Sequence, residues 1–245
     1  MRYFLELSYH GKNYSGWQRQ ENATSVQEVI ELHLSILLNQ VVELVGCGRT
    51  DTGVHAKQYF AHLDLDQTLP ENFLYRINRM LPEDIAIHGI KEVYPGLHAR
   101  FDARSRTYKY FIHFAKNPFL EDNSFLLYQS NPDIEKMNNC ISQLFGTFDF
   151  SCFEKKGSDN KTSVCTLQSA SWERSDNGLV FTVTADRFLR NMVRRMTAAL
   201  IMVGEGRLSE QEVIKAVKDV YPLEVKIAVP ARGLFLWEVK YDYIK

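Results

Sequence analysis

Tyr3, Leu5, Leu7 and Tyr9 alternate with more polar neighbours, and this period of two predicts a strand over residues 2 to 9. The period then changes. Val26, Val29, Ile30, Leu34 and Leu37 recur at helical intervals, and Ser25 with Glu28 has capping-box spacing, so a helix is predicted from Thr24 to Asn39. Val41 to Val45 reads as a strand entering a loop, and Gln58 to Leu65 as the strand leaving it. A short helix over Glu71 to Met80 and an extended segment over Ile85 to Val93 follow. Tyr108, Tyr110, Ile112 and Phe114 alternate again, and Asn131-Pro132 opens a helix running to Gly146. Leu179 to Ala185 predicts a strand, Arg187 to Val203 a helix, Ser209 and Glu212 a capped helix, and Leu234 to Tyr243 a closing strand.

Strands and helices thus alternate loosely in two halves, 1–105 and 106–245, without the regular spacing of parallel βαβ units. The pattern predicts an α+β fold. One segment, Glu154 to Ser163, is rich in polar turn formers and reads as a flexible insertion.

The 245 residues, 45% hydrophobic and 24% charged, suit a soluble globular protein with one large core or two smaller ones. The longest purely apolar run, Ala198 to Val203, is far too short to span a bilayer, and a cytoplasmic location is expected. Cys47, Cys140, Cys152 and Cys165 form no C-x-x-C pair and have no histidine at zinc spacing, so neither a metal site nor a disulfide framework is suggested.

Net charge, 29 − 30 = −1, gives no global sign of a polyanionic partner. Local clustering does. His98 to Lys109 holds Arg100, Arg104, Arg106 and Lys109 against Asp102, and Asp186 to Arg195 holds Arg187, Arg190, Arg194 and Arg195 against Asp186. Such runs are usually solvated faces, but arginines interleaved with aromatics also suit phosphate contact and base stacking. On the predicted helix, Arg187, Arg190 and Arg194 lie along a stripe separate from the apolar face of Leu189, Met192, Val193 and Met196. A guanidinium beside that much apolar surface calls for a carboxylate, and Asp51 is a candidate.

Asp51 lies in "GRTDTGVHA", Gly48 to Ala56, whose Asp-Thr-Gly tripeptide invites an aspartic-protease reading. That chemistry needs two carboxylates sharing a proton, and the tripeptide occurs once. A plain turn is the simpler alternative on the tripeptide alone.

Seven strings in order resemble the tRNA pseudouridine synthase A family: "SYHGKNYSGWQRQ" from Ser8, "TSVQ" from Thr24, "GRTDTGVHA" from Gly48, "HARFDARSRTYKY" from His98, "GTFDFSCF" from Gly146, "FLRNMVRRM" from Phe188 and "ARGLFLWEVKY" from Ala231. The resemblance implies two related α+β halves sharing a continuous mixed sheet with a catalytic cleft between them. It implies a homodimer that converts uridines at tRNA positions 38 to 40 to pseudouridine, with no cofactor or metal.

Carried onto this chain, it makes Asp51 the catalytic aspartate, acting as nucleophile or as base toward the ribose. Arg194 becomes its ion-pair partner and Tyr108 the ring that stacks on the extruded uracil. Leu234 becomes part of the pocket wall, and Arg49 the side chain that fills the space a flipped base leaves. His98, Arg100 and Lys161 are expected to grip phosphates. His10, Thr52, Phe148 and Met196-Thr197-Ala198 depart from the family's usual residues, and none of these departures removes an ionisable group from that chemistry. The competing reading is an RNA-binding α+β module in which Asp51 only caps a turn.

Overall fold

The computed structural model describes residues 1–155, 157, 161–223 and 227–244. Its elements in chain order are β1 (Arg2–Tyr9), α1 (Val26–Leu38), β2 (Val45–Gly46), β3 (His55–Asp64), α2 (Phe73–Met80), β4 (Ile85–Val93), β5 (Ser105–His113), β6 (Phe125–Leu126), α3 (Ile134–Ser142), β7 (Gly146–Asp149), β8 (Val164–Ser175), β9 (Gly178–Ala185), α4 (Met192–Gly204), α5 (Glu210–Lys218) and β10 (Leu234–Lys240). Helices and a mixed set of strands make an α+β fold of two compact units, Met1–Arg104 with Phe235–Lys245, and Ser105–Leu234. The last strand therefore belongs with the first unit, where Phe235 and Leu236 pair in parallel with His55 and Ala56 of β3. A simple division into consecutive halves does not anticipate that return.

In the first unit the strand order is β4-β1-β3-β10, with β2 paired to β3. β1 is antiparallel to both neighbours, so Leu5 and Leu7, both at 0% exposure, sit mid-sheet. Helix α1 starts where Ser25 accepts a hydrogen bond from the Glu28 N–H, and ends at Asn39, which takes the left-handed conformation that closes a helix. Val26, Ile30 and Leu34 are its buried stripe.

The expected strand over residues 41 to 45 shrinks to Val45–Gly46. Side chains of α1 satisfy the preceding backbone instead: Ser35 Oγ accepts from the Val42 N–H, Glu31 accepts from the Leu44 N–H, and Gln27 donates to the Leu44 carbonyl.

In the second unit the order is β5-β9-β8-β7, all antiparallel, with β6 parallel to β5. Asn138 of α3 exchanges two hydrogen bonds with the Trp172 backbone, clamping the helix onto β8, and the Trp172 indole stacks on Phe181 at 4.8 Å. Helix α4 begins at Met192 rather than at Arg187, because Asn191 adopts φ 62° and breaks helical geometry. Arg187 and Arg190 therefore precede the helix, and the expected helical stripe they form with Arg194 does not exist.

Ser209 and Glu212 form the reciprocal capping box that starts α5. Cys47, Cys140 and Cys165 are buried free thiols and Cys152 is half-buried. Of the expected insertion at 154–163, residues 156 and 158–160 lie outside the described residues. Among the described residues, no helix is long and apolar enough to cross a membrane.

Candidate active site

Asp51 sits in the connection between β2 and β3, and the segment after β1 braces this loop from behind. Trp17 stacks on Tyr59 at 4.0 Å, and Tyr59 donates its hydroxyl hydrogen bond to the Gly48 carbonyl. Tyr9 and Thr50 share a buried hydroxyl–hydroxyl bond of 2.8 Å. The Gly53 N–H donates to the Tyr14 carbonyl, and the Val54 N–H closes the turn onto the Asp51 carbonyl. Hydrogen bonds thus fix the loop backbone on both sides of Asp51, whose side chain is half-buried.

Two glycines permit this close approach. A Cβ on Gly11 would lie 2.0 Å from the Val54 carbonyl oxygen, and one on Gly16 would lie 2.3 Å from the Thr50 oxygen. Gly16 also takes φ 86°, a left-handed conformation that side chains disfavour. The glycines of "HGKNYSGWQ" are therefore what lets the aromatic segment lie against the Asp51 loop. Arg49 is exposed on the same loop, and Thr52 is exposed beside Asp51. His10 packs its ring 4.2 Å from His55, whose Nδ1 accepts from the Gly11 N–H.

The loop carrying His98 and Arg100 belongs to the same unit. His98 Nδ1 accepts from the Arg100 N–H at 3.0 Å, and the His98 N–H donates to Asp102 at 2.6 Å. With Nδ1 acting as an acceptor, the neutral ring carries its proton on Nε2, so any phosphate contact falls to Nε2. His62, not anticipated from the sequence, does the same one step deeper: its Nδ1 accepts from the Ala99 N–H at 3.1 Å. Burial, then the charge of Arg2 and then His98, pushes the His62 pKa down to about 4, and burial lowers that of His98 too. Both rings are thus held neutral as backbone acceptors.

In the second unit, alternate residues of β5 have different surroundings. Tyr110 is fully buried and donates its hydroxyl to the Pro230 carbonyl at 2.8 Å, and burial raises its pKa. Tyr108 is half-buried and meets the Phe188 ring edge-on at 5.1 Å, an 85° arrangement. Phe188, unremarked in the sequence reading except as part of a string, is held just before α4. Close by in sequence, Asp186 Oδ1 accepts from the Thr166 and Arg187 N–H groups, and its carbonyl accepts from Arg106.

Arg194 donates Nε to the Val229 carbonyl at 2.8 Å and Nη1 to Asn191 Oδ1 at 2.9 Å, so two fixed acceptors orient its half-buried guanidinium. Leu234 is buried at 5% exposure, while Lys161 is exposed. Met196, Thr197 and Ala198 of α4 are all buried, which places that departure in packing.

Among the described residues, no group of three or more His, Cys, Asp or Glu side chains could hold a metal ion. Asp51 and Arg49, and His98 and Arg100, thus fall on two braced loops of the first unit. Tyr108, Arg194 and Leu234 fall in the second unit.

A family model described as tRNA pseudouridine synthase matches residues 7–102 and 140–242. Relatives named tRNA pseudouridine synthase A include one from Bacteroides thetaiotaomicron, 42% identical over 98% of this chain and 90% of its own length. Another, from Parabacteroides distasonis, is 43% identical over 98% of this chain and 96% of its own. A third, from Chlorobaculum tepidum, is 38% identical over 97% of this chain and 96% of its own. With matches of that extent, the chain belongs to the tRNA pseudouridine synthase family.

Proposed function

We propose that the protein is an isomerase that converts uridine to pseudouridine in the anticodon arm of tRNA, at positions 38 to 40. The observation that carries this reading is Asp51, a half-buried carboxylate on a loop fixed from both sides, in a chain of the tRNA pseudouridine synthase family.

The reaction breaks the bond from C1′ to N1, turns the uracil without releasing it, and joins C1′ to C5. The C5 proton leaves and N1 gains one, so nothing is consumed. Asp51 acts on the ribose as nucleophile or base, and the hydrogen-bonded turn around it keeps its carboxylate aimed at one position. Arg194 supplies a guanidinium whose direction is set by the Val229 carbonyl and Asn191. Tyr108 stacks on the extruded uracil, with Phe188 setting the angle of its ring. Leu234 contributes an apolar wall that keeps water from the separated ribose and base.

Flipping the base out of its stack costs a few kcal/mol, and Arg49, exposed on the Asp51 loop, fills the vacated space. Arg100, His98 through Nε2, and Lys161 contact phosphates. The protein works as a homodimer in the cytoplasm, and the reaction takes no cofactor.

The test is Asp51→Ala assayed for pseudouridine formation and for tRNA affinity. Formation is abolished while affinity stays within a few-fold of the parent. Full activity in that variant would remove Asp51 from the chemistry and favour the binding-module reading.

A further inference from the structure

The loop from Leu97 to Asp102 is pinned by side chains rather than by strand pairing. Arg2 donates to the Leu97 carbonyl, the Tyr241 hydroxyl donates to the Ala99 carbonyl at 2.5 Å, and His62 accepts the Ala99 N–H. Asp102 accepts the His98 N–H, and His98 in turn accepts the N–H groups of Arg100 and Phe101. A short connecting loop is ordinarily among the more mobile parts of a fold, and this one is fixed from several directions.

The pinned loop displays Phe101. The Phe101 ring is 73% exposed, yet it ends a run of ring contacts leading out of the core: Phe4 to His62 at 5.9 Å, His62 to His98 at 4.7 Å, and His98 to Phe101 at 4.3 Å. The Arg100 guanidinium stands 5.7 Å from the Phe101 centroid, near the outer limit of a cation–π contact, so it borders the ring rather than covering it. A lone exposed phenylalanine is ordinary on a protein surface. A rigidly held one bordered by an exposed guanidinium has the composition of a nucleobase platform, with a π-face for the base and a cation for the adjoining phosphate.

We infer that Phe101 and Arg100 form a stacking step for an unpaired nucleobase of the RNA substrate. This subsite is distinct from the stacking of the reacting uracil on Tyr108. It rests on the proposed function for the identity of its ligand. Charge complementarity selects a polyanionic strand over an apolar protein surface, because Arg100 would be stranded against the latter. The fixed loop also removes the ordering cost that a mobile aromatic would incur on binding.

The experiment measures tRNA affinity, KM and salt dependence for Phe101→Ala, Phe101→Leu and Phe101→Trp, with oligomeric state recorded for each. Phe101→Ala and Phe101→Leu weaken binding by about ten-fold, and the loss in kcat/KM appears in KM. Phe101→Trp binds at least as tightly as the parent. The slope of log affinity against log salt stays the same across the series, because stacking releases no counterions.

Parental affinity in Phe101→Leu would overturn the inference, since apolar bulk would then suffice. So would a change of oligomeric state in Phe101→Ala, which would assign the ring to a protein interface. Failure of the parent protein to make pseudouridine would sink the functional reading separately, because the affinity series is read without turnover.

Discussion

Acidification from about pH 7.5 to about pH 5 should destabilise the first unit through His62. This imidazole is 4% exposed, and it faces Arg2 and His98, which disfavour its charge, and Asp64 and Asp102, which favour it. Desolvation dominates and takes its pKa from 6.5 to about 4. The sign follows from where the proton goes. Above the unfolded value the ring is neutral in both states and contributes nothing to the pH dependence. Between 6.5 and about 4 only the unfolded chain takes up the proton, so folding stability falls as pH falls through that window and levels off below it.

At about pH 5 the difference is about 1.5 pH units at about 1.36 kcal/mol each, or about 2 kcal/mol. The assay is urea unfolding followed by tryptophan fluorescence, comparing the parent with His62→Asn. The asparagine oxygen can accept the Ala99 N–H but does not titrate. The variant should lose about 2 kcal/mol less than the parent over the same interval, other acid-sensitive groups being common to both. Parallel losses in the two proteins would refute the claim that a neutral His62 anchors the loop.

Two further predictions concern the other braced loop and the RNA contact. Gly16→Ala forces a side chain into φ 86° with its Cβ 2.3 Å from the Thr50 oxygen. It should cost about 1 to 3 kcal/mol in stability and lower kcat far more than it raises KM, because the displaced loop carries Asp51. Steady-state kinetics showing parental kcat would break the link between bracing and chemistry. Arg100→Ala should weaken tRNA binding and reduce the slope of log affinity against log salt by about 1; an unchanged slope would take Arg100 off the phosphate backbone.

Period and capping signals located many of the elements. β1 and β4 match the predicted 2–9 and 85–93, and the Ser25 and Ser209 caps start α1 and α5. The misses have local causes. β8 was not anticipated because its register shifts between Leu167 and Ser169, so buried Cys165 and Leu167 fall out of phase with buried Trp172. Residues 41 to 44 have a strand-like composition, but side chains of α1 take up their backbone groups. Asn191 delays α4, a left-handed step that periodicity cannot register.

At the candidate site, the strings around Asp51, Tyr108 and Arg194 were legible through family resemblance. The groups that hold them were not. Tyr9 meets Thr50 across 41 positions and His62 meets Ala99 across 37, and a single sequence carries no mark of such partners. Gly11 and Gly16 did offer a signal, since glycine beside aromatic residues suggests a close backbone approach.

The most direct test of the central claim is to incubate unmodified tRNA with the purified protein alone and map pseudouridine at single-nucleotide resolution. The account predicts pseudouridine within positions 38 to 40 for the parent and none for Asp51→Ala. An unmodified anticodon arm with the parent, or equal modification by the variant, would contradict it.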